Sequence, residues 1–175
     1  MTKRIVILAA GTGVFLVAVF FLFASNPPAP NPEHTPRLVP APNFTLSDYE
    51  GNAVRLEDFK GTPLVINSWA AWCPFCREEL RDFAAIQQEL GDKIVIIAIN
   101  RRESLDVARR YSDELGVDGN LFMLLDPDDS FYHSINGFSM PETIFVDESG
   151  FIKAHKRGPM NKEEIRRRIQ DTFGL

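Results

Sequence analysis

The sequence predicts an α/β fold, a central mixed sheet flanked by helices and opened by a β-hairpin, standing behind a single N-terminal transmembrane helix. Three observations carry that prediction. An uncharged segment follows Lys3 and Arg4 near the start of the chain; short apolar runs alternate with stretches of helical periodicity after residue 43; and the only two cysteines, Cys73 and Cys76, lie three apart between one such run and one such stretch. With 45% hydrophobic and 25% charged side chains, the 175 residues suit one globular domain of ordinary core once the first segment is set aside.

Ile5 to Phe23 is 19 residues without a charge, and at about 1.5 Å per residue it nearly crosses a hydrocarbon layer of roughly 30 Å. Lys3 and Arg4 precede it and no comparable basic cluster follows closely, so the short N-terminus should stay in the cytoplasm and the remainder outside. A cleaved signal peptide is the competing reading. Its apolar region is usually shorter, and Ala24-Ser25-Asn26-Pro27-Pro28 offers no Ala-x-Ala cleavage site, so residues 1–25 are taken as a retained anchor. No cysteine near the end of this segment could carry a lipid. Residues 26–42 contain seven prolines (27, 28, 30, 32, 36, 40 and 42), a composition that favours extended polyproline conformations and predicts a semi-rigid spacer. The globular domain is expected over 43–175.

Within it, Phe44 to Ser47 and Ala53 to Leu56 alternate apolar and polar residues around the turn residues Glu50-Gly51-Asn52, which predicts a hairpin. Pro63 to Trp69 reads as a buried strand. After Cys73, the spacing of Cys76, Leu80, Phe83 and Leu90 predicts a helix ending at Gly91. Lys93 to Ile99 is fit for a central parallel strand. Ser104 caps a second helix running to about Leu115, Phe122 to Leu125 forms a short strand, and Ser130 to Ile135 makes one or two helical turns. Glu142 to Asp147 and Phe151 to His155 pair across Glu148-Ser149-Gly150. Asn161 with Glu164 is a capping box for a last helix whose Ile165, Ile169 and Phe173 share one face.

The chemistry points to Trp72-Cys73-Pro74-Phe75-Cys76. If Cys73 opens a helix with Pro74 at its first position, the Cys73 sulfur faces free N–H groups and the positive dipole end, which favour thiolate. Cys73 is then the nucleophile, and Cys76, one turn on and more buried, is placed to resolve a mixed disulfide. A purely structural bridge over so short a loop would restrict little chain entropy. A zinc site needs about four ligands, and His34, His133 and His155 are scattered, so no metal is expected. The arginines at 101, 102, 109, 110 and 166–168 lie among acids in a chain of net charge -5, and read as solvated helix faces without nucleic-acid binding. Ser139-Met140-Pro141-Glu142-Thr143 on its own reads as a strand boundary.

Taken together, Asn67-Ser68-Trp69-Ala70-Ala71-Trp72-Cys73-Pro74-Phe75-Cys76-Arg77-Glu78-Glu79, the segment Gly137 to Thr143, the opening Pro42-Asn43-Phe44-Thr45-Leu46 and the N-terminal anchor resemble the membrane-anchored thioredoxin-like proteins of the TlpA and ResA type. The resemblance implies a thioredoxin-like fold and a thiol-disulfide oxidoreductase on the bacterial cytoplasmic membrane. Its catalytic domain would be periplasmic and would reduce client disulfides, including apocytochrome c, with electrons from a membrane thiol donor. No cofactor beyond the redox-active Cys73–Cys76 disulfide is implied. It further implies a cis Met140–Pro141 bond that, with Trp72, Pro74 and Phe75, binds an extended client segment.

Two positions qualify the match. Ordinary thioredoxins carry a buried aspartate where this chain has Asn67, which cannot shuttle a proton. Glu79 matches an acid that some relatives keep beside the cysteine pair and is a candidate proton relay; its alternative is an exposed helix glutamate near Arg77 and Arg81. Three rival functions remain. A disulfide-introducing oxidase would use the same cysteines in reverse. A thiol peroxidase would need Pro and Thr where the chain has Ile66 and Ala70, and a copper chaperone of the Sco kind would need one more residue between the cysteines.

Overall fold

The computed structural model describes residues 38–175. The expected anchor and most of the proline-rich spacer lie outside these residues. Among the described residues no helix is long and apolar enough to cross a membrane.

Eight strands form one mixed sheet in the order β1-β8-β7-β4-β5-β6-β2-β3: β1 Val39–Pro40, β2 Thr45–Asp48, β3 Ala53–Arg55, β4 Leu64–Trp69, β5 Val95–Arg101, β6 Phe122–Asp126, β7 Glu142–Val146 and β8 Phe151–Arg157. The helices are α1 Cys76–Leu90, α2 Leu105–Leu115, α3 Ser130–Ser134 and α4 Lys162–Phe173. Strands β4, β5 and β6 run parallel. Strands β7 and β2 pair antiparallel to β4 and β6.

β4 is buried at every position, as a central strand covered on both faces must be. Its pleat divides the core. Val65 and Trp69 point with Ile96, Ala98 and Phe145 towards Leu80, Phe83, Ile165 and Ile169 of α1 and α4, while Leu64 and Ile66 point with Ile97, Ile99 and Ile144 towards Phe131, Phe44 and Leu46.

Two boundaries differ from expectation. Val39–Pro40, inside the expected spacer, pairs with Ile152 and Phe151 of β8; Pro40 has no N–H to donate, and an edge strand is where a sheet tolerates that loss. Regular helix begins at Cys76 rather than Cys73. Pro74 occupies the second position of a turn in which Cys76 N donates to Cys73 O at 3.3 Å, and Phe75 becomes the N-cap with φ -81° and ψ -23°. At α4, Asn161 Oδ1 accepts from Glu164 N. The reciprocal bond of a capping box is replaced, because the Glu164 carboxylate accepts from Arg168 instead.

Candidate active site

The end of β4 carries the chain from Trp69 into the turn that holds Cys73. The register of β4 against β7 pairs Asn67 with Thr143 and Ser68 with Glu142, so the residue opposite Trp69 is Pro141. The Met140–Pro141 bond is cis. Met140 packs against the same core cluster that contains Cys73 and Cys76. Two segments 64 positions apart in the chain are thereby brought to one end of the sheet.

Cys73 and Cys76 are joined in a disulfide with a Cα–Cα distance of 5.4 Å. The expected difference in burial is not seen: Cys73 is 1% exposed and Cys76 0%. Around this covered pair the surface is apolar and open, with Trp72 61% and Phe75 60% exposed. Pro74 between them is exposed as well, whereas Pro141 is buried and Met140 half-buried. Trp69, by contrast, is fully buried and stacks on Tyr111 at 5.5 Å between ring centroids.

Glu79 lies inside the protein, 1% exposed, which removes the exposed-glutamate alternative. Its Oε2 accepts from Asn67 Nδ2 at 3.0 Å and its Oε1 from Met160 N at 2.8 Å. The same Asn67 Nδ2 donates to Thr143 Oγ1 at 2.9 Å. Burial outweighs these donors and lifts the Glu79 carboxyl to about 8, so it is largely protonated at neutral pH. Asn67 therefore serves as a link from β4 to β7 and α1.

The segment before Pro141 is held by groups that sequence reasoning did not single out. Glu142, fully buried, accepts from Phe138 N and Ser139 N on Oε2, both at 3.0 Å. Its Oε1 lies 3.2 Å from Arg157 Nε and 2.6 Å from His155 Nε2, both close charged or polar approaches without hydrogen-bond alignment. Tyr132 donates its hydroxyl proton to Ser139 O at 2.7 Å, and the Arg101 guanidinium lies 3.6 Å over the Tyr132 ring. On the other side of the cysteines, Glu103 Oε2 accepts from Ala71 N and Asn100 Nδ2. A signal for Glu142 was available. It is an acid opening an otherwise apolar strand; the observed register, shifted by a bulge at Phe145/Val146, sets Arg157 directly across from it.

A buried Cys-x-x-Cys disulfide at a strand-to-turn-to-helix junction, facing a cis-proline, is a site for thiol-disulfide exchange. Residues 39–170 match the Redoxin family. The chain belongs to that family. It is 32% identical over 165 residues to the thiol:disulfide interchange protein DsbE of Allochromatium vinosum, covering 90% of this chain and 87% of that one. It is 29% identical over 133 residues to the thiol-disulfide oxidoreductase ResA of Geobacillus thermodenitrificans, covering 74% of each. The crystal structure of a putative thiol:disulfide interchange protein DsbE from Chlorobium tepidum superposes with a TM-score of 0.71 at 22% identity, over 77% of this chain and 96% of that one, and shares the fold. The chain is a thiol-disulfide oxidoreductase of the TlpA and ResA type.

Proposed function

We propose that this oxidoreductase works outside the cytoplasm, tethered by its N-terminal segment, and reduces disulfides in client proteins, apocytochrome c among them. The observation that carries the client class is the contrast between a disulfide buried to 1% and 0% and the Trp72 and Phe75 side chains beside it at 61% and 60%. Small solutes need no apolar collar; a peptide segment lying across it does.

The reaction runs from the reduced pair. The Cys73 thiolate attacks one sulfur of the client disulfide, forming a Cys73–client bond while the other client sulfur leaves as thiolate and takes a proton. Cys76 then gives up its proton and attacks Cys73 Sγ. The intramolecular disulfide closes, the second client thiolate leaves, and two electrons have passed from the pair to the client. Glu79, one helical turn from Cys76 on α1, is in its ionised form, reached as pH rises towards about 8, the candidate acceptor for the Cys76 proton. A membrane dithiol donor returns the pair to the reduced state by the reverse exchange.

An extracytoplasmic compartment already favours disulfide formation, so a tethered dithiol is most useful there as a local reductant. The reduction potential tests this. It should lie nearer about -270 than about -120 mV, with rapid reduction of an oxidised Cys-x-x-Cys-His peptide. A potential near the upper value, with ready oxidation of reduced unfolded proteins, would establish the disulfide-introducing activity instead.

A further inference from the structure

Phe138 is 77% exposed, two residues before Met140 and at the same end of the sheet as Trp72 and Phe75. One face of its ring is covered by the Arg157 guanidinium at 4.7 Å. That guanidinium is itself fixed by Glu142, which also takes the Phe138 and Ser139 N–H groups. The Gly137 N–H is used by Tyr132 O, the Ser139 carbonyl by the Tyr132 hydroxyl, and the Pro141 carbonyl by Gly158 N. The segment is thus held from within the domain on both sides of Met140, and Phe138 is held outward as an apolar ledge rather than folded into the core.

We propose that Phe138 is a specificity-determining residue of this site, selecting clients that carry a large apolar residue beside the attacked cysteine, and that Glu142 is the positioning residue that presents it. This deepens the proposed reductase reading and rests on the same client-binding surface. A client segment running past the cis-proline crosses Phe138 as it leaves the cysteine pair. A leucine or phenylalanine there buries its side chain on the exposed ring, whereas a serine gains nothing. Glu142 touches neither the client nor the sulfurs; removing its carboxyl group frees the Phe138 and Ser139 N–H groups and the Arg157 guanidinium together.

The test uses the full chain in mild detergent with two disulfide peptides that differ only in a leucine or a serine next to the attacked cysteine, and with hydroxyethyl disulfide as a small control. Phe138→Ala should raise KM for the leucine peptide by about tenfold, leave the serine peptide and the control unchanged, and be rescued by Phe138→Leu. Glu142→Ala should give the same KM loss with kcat retained and the control rate intact, and Glu142→Gln, whose amide oxygen still accepts from both N–H groups, a smaller one. Equal effects on both peptides, or none, overturn the specificity role; a parallel fall in the control rate with Glu142→Ala, or a Glu142→Gln loss as large as that of Glu142→Ala, overturns the positioning role through these N–H groups. The assays are run both with reduced chain on oxidised peptide and with oxidised chain on reduced peptide. A Phe138-dependent preference confined to the second direction removes the reductase reading and leaves this inference standing.

Discussion

Asn67 and Glu79 meet inside the core, Nδ2 to Oε2 at 3.0 Å, joining the strand that leads into the cysteine turn to the helix that leaves it. An amide stands where a second carboxyl would otherwise face Glu79, and only one buried acid titrates here. Its carboxyl, pushed up to about 8 chiefly by burial, keeps its proton in the folded protein far above the pH at which the unfolded chain loses it.

Stability should therefore fall as the solution becomes alkaline. Between the ordinary glutamate value of 4.5 and about 8, the folded state binds more protons at Glu79 than the unfolded state does, so raising pH favours unfolding. The contribution is fully present below pH 4.5, declines through the window and is gone above about pH 8. Urea titrations should show an unfolding free energy lower by a few kcal/mol at pH 8.5 than at pH 5, and Glu79→Gln should flatten that slope. An unchanged slope in the variant would assign the pH dependence to other groups.

Gly137 has no room for a side chain. A Cβ built there lies 2.5 Å from Tyr132 Cε2, and the ring cannot retreat while its hydroxyl holds Ser139 O and Arg101 covers its face. Gly137→Ala should cost about 1–3 kcal/mol of stability, and should slow exchange with a peptide client more than with hydroxyethyl disulfide. Equal slowing of both would mean that the strain reaches the cysteines themselves.

The sheet was legible in the sequence because its strands are short apolar runs bounded by glycine and proline, and Val95–Arg101 or Glu142–Val146 differ from expectation by only a residue or two. Val39–Pro40 was hidden by composition, since nothing in a proline-rich stretch distinguishes an edge strand from a spacer. The onset of α1 shifted because proline suits the second position of a turn as well as the first of a helix. Periodicity puts Glu79 on the inward face, three residues after Cys76 and four before Phe83, but does not show what makes a carboxyl acceptable there. Glu79 sits next to Leu80 on the helix, and only the Asn67 amide and Met160 N–H, 12 and 81 positions away, make a carboxyl acceptable inside. For Glu142 the sequence offered an acid opening an apolar strand, but not its partners, which come from a loop before it and a strand after it.

The anchor is a prediction of sequence alone, from the uncharged stretch Ile5 to Phe23 behind Lys3 and Arg4. The protein should remain in the membrane after a carbonate wash, and once reduced it should be labelled at Cys73 by a membrane-impermeant thiol reagent in intact spheroplasts. Recovery of a soluble, N-terminally shortened protein would show that the segment is a cleaved signal.

The last prediction separates the two cysteines. With Cys73 in the turn before α1 and Cys76 inside its first turn, Cys76→Ser should accumulate client mixed disulfides through Cys73, while Cys73→Ser should trap almost none. Resolution of the mixed disulfide requires Cys76 to lose its proton in a buried place, where Glu79, ionising near 8, is the titratable group one turn away. The rate of that step in the wild type should climb through about pH 8, and Glu79→Gln should slow it on the order of tenfold or more and move its inflection upward. The measurement is quenched-flow decay of a preformed Cys73–client adduct across pH 6 to 10. Identical profiles would confine Glu79 to a structural role, and trapping mainly through Cys76 would reverse the assignment of nucleophile and resolving thiol.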